Sequence, residues 1–216
     1  MGIALSGVAF RSNRADADIA ALVDRLTGQT AVEIARRPMR GEFDIRHPTD
    51  VMVLRYAEAC LVCNGDIAWP LGADPAHDAR PVFEALGRPE VFMAFCNYES
   101  ADSYGYALFE HGRLTRRRWQ TCGLGDIDPD VQESGEPTAL ENRWLQAPFN
   151  VRTDPDDPEW HEKVFYQPER RFQVQVPEFW LTRQMLDELL VERFGVCPWA
   201  WGEEPVSRYF RLAPRS

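Results

Sequence analysis

Lysine is almost missing from this chain. Of its 24 basic residues only Lys163 is a lysine, and the rest are arginine. A phosphate loop of the form Gly-x-x-x-x-Gly-Lys-Ser/Thr needs a lysine after glycines, and Lys163 follows His161-Glu162 instead. Long apolar runs are missing too: no window approaches the roughly 18 residues of a membrane span, so no membrane partner is expected. The opening MGIALSGVAFRSNRADAD has no basic segment, and Ser6 and Gly7 interrupt its apolar stretch. That argues against a signal peptide and for a cytoplasmic location.

Motifs of nucleophilic and cofactor chemistry are equally scarce. Ser6-Gly7 and Ser103 lack the Gly-x-Ser-x-Gly elbow. Gly123-Leu124-Gly125 is not followed by a third glycine at dinucleotide spacing. The four histidines (His47, His77, His111, His161) are scattered, and the residue four after His161 is Phe165, not the second histidine of a zinc protease. No cofactor and no metal site is therefore expected. The five cysteines (Cys60, Cys63, Cys96, Cys122, Cys197) form an odd set, which reads as free thiols rather than a disulfide framework.

What is present is acid and apolar bulk. The 34 Asp and Glu residues leave a formal charge of −10, which disfavours nucleic acid, because phosphate binding needs a basic face. The same charge suits capture of a basic protein. With 44% apolar and 12% aromatic residues the chain can bury a substantial core. No internal repeat or low-complexity linker divides it, so a single domain over residues 1–216 is expected.

Along the chain, 3–10 reads as a strand. Ile19, Leu22, Val23 and Leu26 share one helical face, with Asp16 as start cap and Gly28 as left-handed end cap. Residues 31–35, 42–46, 51–57 and 59–63 read as strands. Asn64-Gly65 predicts a two-residue hairpin turn into a strand at 66–71. Pro81 opens a short helix that Gly87 can end. Strands follow at 91–97, 104–110 and 113–120, with His111-Gly112 turning the last pair. Residues 121–137 and 150–159 read as polar loops. Helices are predicted from Pro137 and over 177–194, the latter capped by Gly195. The expected fold class is α+β, an antiparallel sheet of about six or more strands packed by two or three helices.

Several motifs need weighing. Cys60 and Cys63 have zinc-ligand spacing but lie in a predicted strand, where positions three apart face opposite sides, so a structural role is expected. Arg116-Arg117-Arg118 would alternate across a strand, with a solvated, acid-balanced outer face. A cysteine nucleophile would fall to Cys96 or Cys122 beside a histidine. Asp126, Asp128 and Asp130 lack the glycine and glutamate of a calcium loop, because Val131 and Pro137 stand there. Together with Asp154, Asp156, Asp157 and Glu159 they form two acidic loops, and these seven are the candidate partner-binding residues.

The stretch Tyr104-Gly-Tyr-Ala-Leu-Phe-Glu-His-Gly-Arg-Leu-Thr-Arg116, then a glycine-bearing loop, Gly135-Glu-Pro137 and Glu141, resembles small uncharacterised bacterial proteins, some of them immunity proteins encoded beside toxins. The resemblance covers residues 1–145 and carries over no functional residue. It implies a cytoplasmic protein that occludes a toxin. The expectation is thus a non-enzymatic acidic protein-binding module with a basic protein partner. The alternatives are a small hydrolase with a Cys/His or carboxylate site assembled from distant segments, or a structural, oligomeric subunit.

Overall fold

In a computed structural model, the chain is described over residues 3–12, 18–35, 37–39, 41–122, 130–157, 159, 161–167 and 174–214. Its centre is a nine-stranded antiparallel sheet. The strands are β1 (Ala4–Arg11), β2 (Ala31–Ile34), β3 (Asp50–Arg55), β4 (Ala59–Cys63), β5 (Val91–Tyr98), β6 (Ser103–Glu110), β7 (Arg113–Thr121), β8 (Asp130–Ser134) and β12 (Val206–Leu212), in the order β2-β12-β3-β4-β1-β5-β6-β7-β8. A second, three-stranded sheet is formed by β9 (Phe149–Thr153), β10 (His161–Tyr166) and β11 (Gln175–Pro177), in the order β11-β10-β9. The expected α+β class with a large antiparallel sheet is what forms, and among the described residues the helices number five.

Both faces of the large sheet are covered. On one, α1 (Ile19–Thr27), α2 (Gly65–Ala73) and α3 (Arg80–Ala85) pack over Val8, Val53, Val62, Phe92 and Phe109. On the other, α4 (Ala139–Leu145), α5 (Leu181–Phe194) and the small sheet pack over Leu61, Met93, Phe95, Tyr106 and Leu108. Side chains alternate along every strand, so a sheet buried on both faces reads as an unbroken apolar run. VFMAFC in β5 and ACLVC in β4 have that composition. Cys60 accordingly lies in one core and Cys63 in the other.

α1 forms where the apolar spacing places it, but Asp18 is its cap, accepting from Ala21 N at 3.1 Å, while Asp16 lies outside the described residues. Gly28 closes the helix at φ 66°. The Asn64-Gly65 hairpin does not form. Asn64 instead caps α2, its side-chain oxygen accepting from Asp66 N at 2.9 Å while its amide donates to Pro48 O and Asp50 O. Asparagine serves turns and helix starts through the same short polar arm, and here tertiary partners select the helix. Residues 66–71 are therefore helical.

Residues 42–46 form no strand beyond a single bridge at Phe43, with turns on either side; Arg46 holds Asp44 there through two short contacts. Conversely, Asp130–Ser134 is a strand (β8) where a loop was expected, and β9 takes the first residues of the expected 150–159 loop. The helix expected from Pro177 starts at Leu181, after a 3-10 turn over Glu178–Trp180.

Trp119 fixes how closely the layers approach. A Cβ on Gly72 of α2 would stand 2.0 Å from its ring, and one on Gly105 of β6 2.5 Å from it. Only hydrogen at both positions lets the indole lie between helix and sheet.

Candidate functional site

The seven acidic candidates divide between separate elements. Asp126 and Asp128 lie outside the described residues, and Asp130 opens the edge strand β8. Asp154, Asp156, Asp157 and Glu159 fall together in the turn joining β9 to β10, and all four are exposed. The turn is built by its own acids: Asp154 Oδ1 accepts from Asp156 N at 2.9 Å, and Asp157 Oδ1 accepts from Glu159 N at 3.3 Å. His161 Nδ1 stands 3.0 Å from Glu159 O.

β9 leads into this turn and is exposed at all five residues. Phe149 and Val151, on one face of the strand, are 46% and 56% exposed, and Lys163 reaches over the Phe149 ring. The hairpin is anchored through β10, where Val164 and Phe165 are buried, and through Val176 of β11. Arg152 pairs with Glu162 across the hairpin at 3.8 Å, and Lys163 with Glu178 at 3.2 Å. The hairpin thus places two exposed apolar side chains on β9 beside an acidic turn.

The arginine triplet is not a solvated face. Because both sheet faces are covered, β7 has no outer side, and Arg116, Arg117 and Arg118 are all buried. Arg116 Nε donates to Glu141 Oε1 at 2.6 Å, and Arg116 Nη1 donates to Gly135 O at 3.1 Å. Glu141, also accepting from the Tyr106 hydroxyl at 2.6 Å, completes a capping box with Thr138 at the start of α4. Burial, then the Glu141 carboxylate, pushes the Tyr106 hydroxyl well above its ordinary pKa. Arg117, on the opposite face, donates to Gly72 O and Ala73 O at the end of α2. Arg118 donates to Thr182 Oγ1 at 2.9 Å and pairs with Glu133. These groups tie β7 to α2, α4 and α5, which is a structural task. The Thr-x-x-Glu pattern at 138–141 was the sequence signal for the cap, but nothing in the sequence paired Glu141 with Arg116.

No family model, curated protein or solved structure matches the chain.

Of the two cysteine candidates, Cys96 is not arranged for nucleophilic chemistry. Cys96 is buried, its thiol donating to Ser103 O, and burial pushes it up to about 12. Cys122 is exposed. Burial holds the Cys60 thiol at about 12 and raises that of Cys63 as well. A reactive thiolate needs a depressed pKa, the reverse of what burial does to Cys60, Cys63 and Cys96. Among the described residues no three His, Cys, Asp or Glu side chains are placed to hold a metal ion. No helix among them is long and apolar enough to cross a membrane.

A cleft of about 790 Å³ opens at the end of the sheet where β1 finishes and β5 begins. Phe10, Leu22, Cys60 and Leu86 line it beneath a rim of Arg11, Arg25, Glu58 and Arg193. Its rim is largely self-satisfied, since Arg11 pairs with Glu58 at 3.1 Å and donates to Arg193 O at 2.9 Å.

Proposed function

We propose that the protein is a non-enzymatic protein-binding module that captures a basic polypeptide on the β9–β10 hairpin. The observation that carries this reading is the exposed edge strand β9, with the apolar Phe149 and Val151 side chains bare, running into a turn with four exposed acids. In a cytoplasmic immunity protein such a surface would occlude a toxin's active site, the role implied by the resemblance at residues 104–141. An overall charge of −10 adds long-range attraction for a basic partner, which raises the association rate more than the lifetime of the complex.

The test is capture from source lysate with tagged protein at low and moderate salt, beside the variant Asp154→Asn/Asp156→Asn/Asp157→Asn/Glu159→Gln. A stoichiometric basic partner, bound roughly tenfold more slowly by the variant, is expected. Equal capture by both proteins at both salts would refute the assignment. A second reading, a small-molecule site, is favoured by the size of the end-of-sheet cleft, which lies in the range of ligand pockets. Crystallographic fragment soaking reads it directly.

A further inference from the structure

The backbone of β9 shows how that hairpin would engage a partner. Tyr166 N donates to Pro148 O at 3.0 Å, and the register pairs Phe149 with Phe165. In an antiparallel ladder, hydrogen-bonded and non-hydrogen-bonded pairs alternate. Asn150–Val164 and Arg152–Glu162 are therefore the bonded pairs, and Phe149, Val151 and Thr153 turn their N–H and C=O groups away from β10. The far side of β10 obeys the same alternation. Val164 meets Pro177 there, so the proline with no N–H falls at a non-bonded position. Among the described residues β9 is thus an edge, and its three outward donors and three outward acceptors belong to Phe149, Val151 and Thr153, the first two of which also expose apolar side chains.

The other edges differ among the described residues. β2 is four residues long, with Glu33 held by Arg208 at 2.5 Å. β11 has three residues, and β8 exposes no large apolar side chain. Edges are ordinarily blunted by charge, proline or shortness, and β9 leaves its outward positions without charge.

We propose that β9 is a strand-addition site. It takes an extended segment of a basic partner, antiparallel to β9, in which apolar residues alternate with lysine or arginine. Main-chain bonds to Phe149, Val151 and Thr153 supply affinity that does not depend on sequence. Apolar side chains of the segment cover Phe149 and Val151, and its basic residues meet Asp154, Asp156, Asp157 and Glu159 beyond the strand end. Pro155, the next position in phase with Phe149, Val151 and Thr153, has no N–H and ends the outward donors at that side. This inference rests on the protein-binding reading and adds its mode.

The test uses the full chain and the peptide acetyl-Lys-Val-Lys-Val-Lys-Val-Lys-amide, with backbone amide exchange followed by NMR. The expected result is at least tenfold slower exchange at Phe149, Val151 and Thr153 N–H, with Asn150 and Arg152 unchanged because their amides are already bonded. Val151→Pro deletes one outward donor while sparing every bond to β10, and it should abolish the protection. Val151→Lys keeps the fold and repels a basic strand, so it should weaken binding about tenfold or more. Peptide binding without slowed β9 exchange, or no peptide binding, overturns strand addition. Slowed exchange that grows with protein concentration in the absence of peptide overturns the basic occupant in favour of a second copy of the chain. The protein-binding reading fails separately, on unchanged partner capture by the acid-neutralised variant.

Discussion

Replacing Glu141 with alanine tests how the two layers of the molecule are held together. Glu141 is 0% exposed, and Arg116, its partner at 2.6 Å, is 2% exposed. Removing the carboxylate leaves a buried guanidinium whose closest remaining acid, Glu133 at 3.3 Å, is itself 38% exposed. Breaking a buried pair on one side costs about 3–5 kcal/mol. The substitution also removes half of the capping box, worth about 1 kcal/mol, and strands the Tyr106 hydroxyl. The expected loss is therefore about 4–6 kcal/mol. With a urea m-value of about 3 kcal/mol/M, the midpoint should fall by roughly 1.3–2 M at unchanged slope. The double variant Arg116→Met/Glu141→Leu removes both charges and should recover most of that loss, since replacing a whole buried pair by apolar groups is often neutral. A loss below about 1 kcal/mol for Glu141→Ala, or no recovery in the double variant, would refute the view of this network as desolvated and mutually dependent.

Other consequences are open to direct measurement. Asp187 is half-buried, and burial pushes its carboxyl up to about 6, against the hydrogen bond it accepts from Trp199 Nε1 at 2.8 Å. With the folded value above the unfolded one, its contribution is fully present below about pH 4 and is lost as pH rises through 6. Asp187→Asn keeps an acceptor for Trp199, so it should be more stable than the parent at pH 7 by on the order of 2 kcal/mol, with the gap closing in acid. Parallel urea titrations at several pH values read this, and a pH-independent gap would contradict it. Gly105→Ala places a methyl against the Trp119 ring and should cost about 1–3 kcal/mol, visible as a lowered melting temperature. A thiol reagent at mildly alkaline pH should label Cys122 rapidly and leave Cys60, Cys63 and Cys96 unlabelled until denaturant is added. Fast labelling of those three would mean that the core opens.

Most of the sheet was legible because its strands announce themselves by composition: ACLVC, VFMAFC and YGYALFE have no polar face, and only a sheet covered on both sides accommodates that. Helix α1 was legible from spacing and Gly28. What failed shares one cause. Asn64-Gly65, the arginine triplet and β8 have local signals that admit two outcomes, and distant residues choose between them. Asn64 becomes a cap because Pro48 and Asp50 offer carbonyls to its amide. Arg116 becomes an interior residue because Glu141, far along the chain, is there to receive it. The acidic residues of the candidate site were visible as charge. The outward-turned backbone of β9 was not, since hydrogen-bond phase depends on the register with β10.

The place of β12 sets an order on the birth of the fold. β12 lies between β2 and β3, pairing with each, yet roughly 170 residues separate Ile34 from Val206. During synthesis at about 5–20 residues per second, the apolar β3 stands without its outer neighbour, and β2 without any, for roughly 10–35 s. For that interval the nascent chain presents Val51 and Val53 on an open sheet edge, so its yield in the cell should depend on chaperones far more than its final stability would indicate.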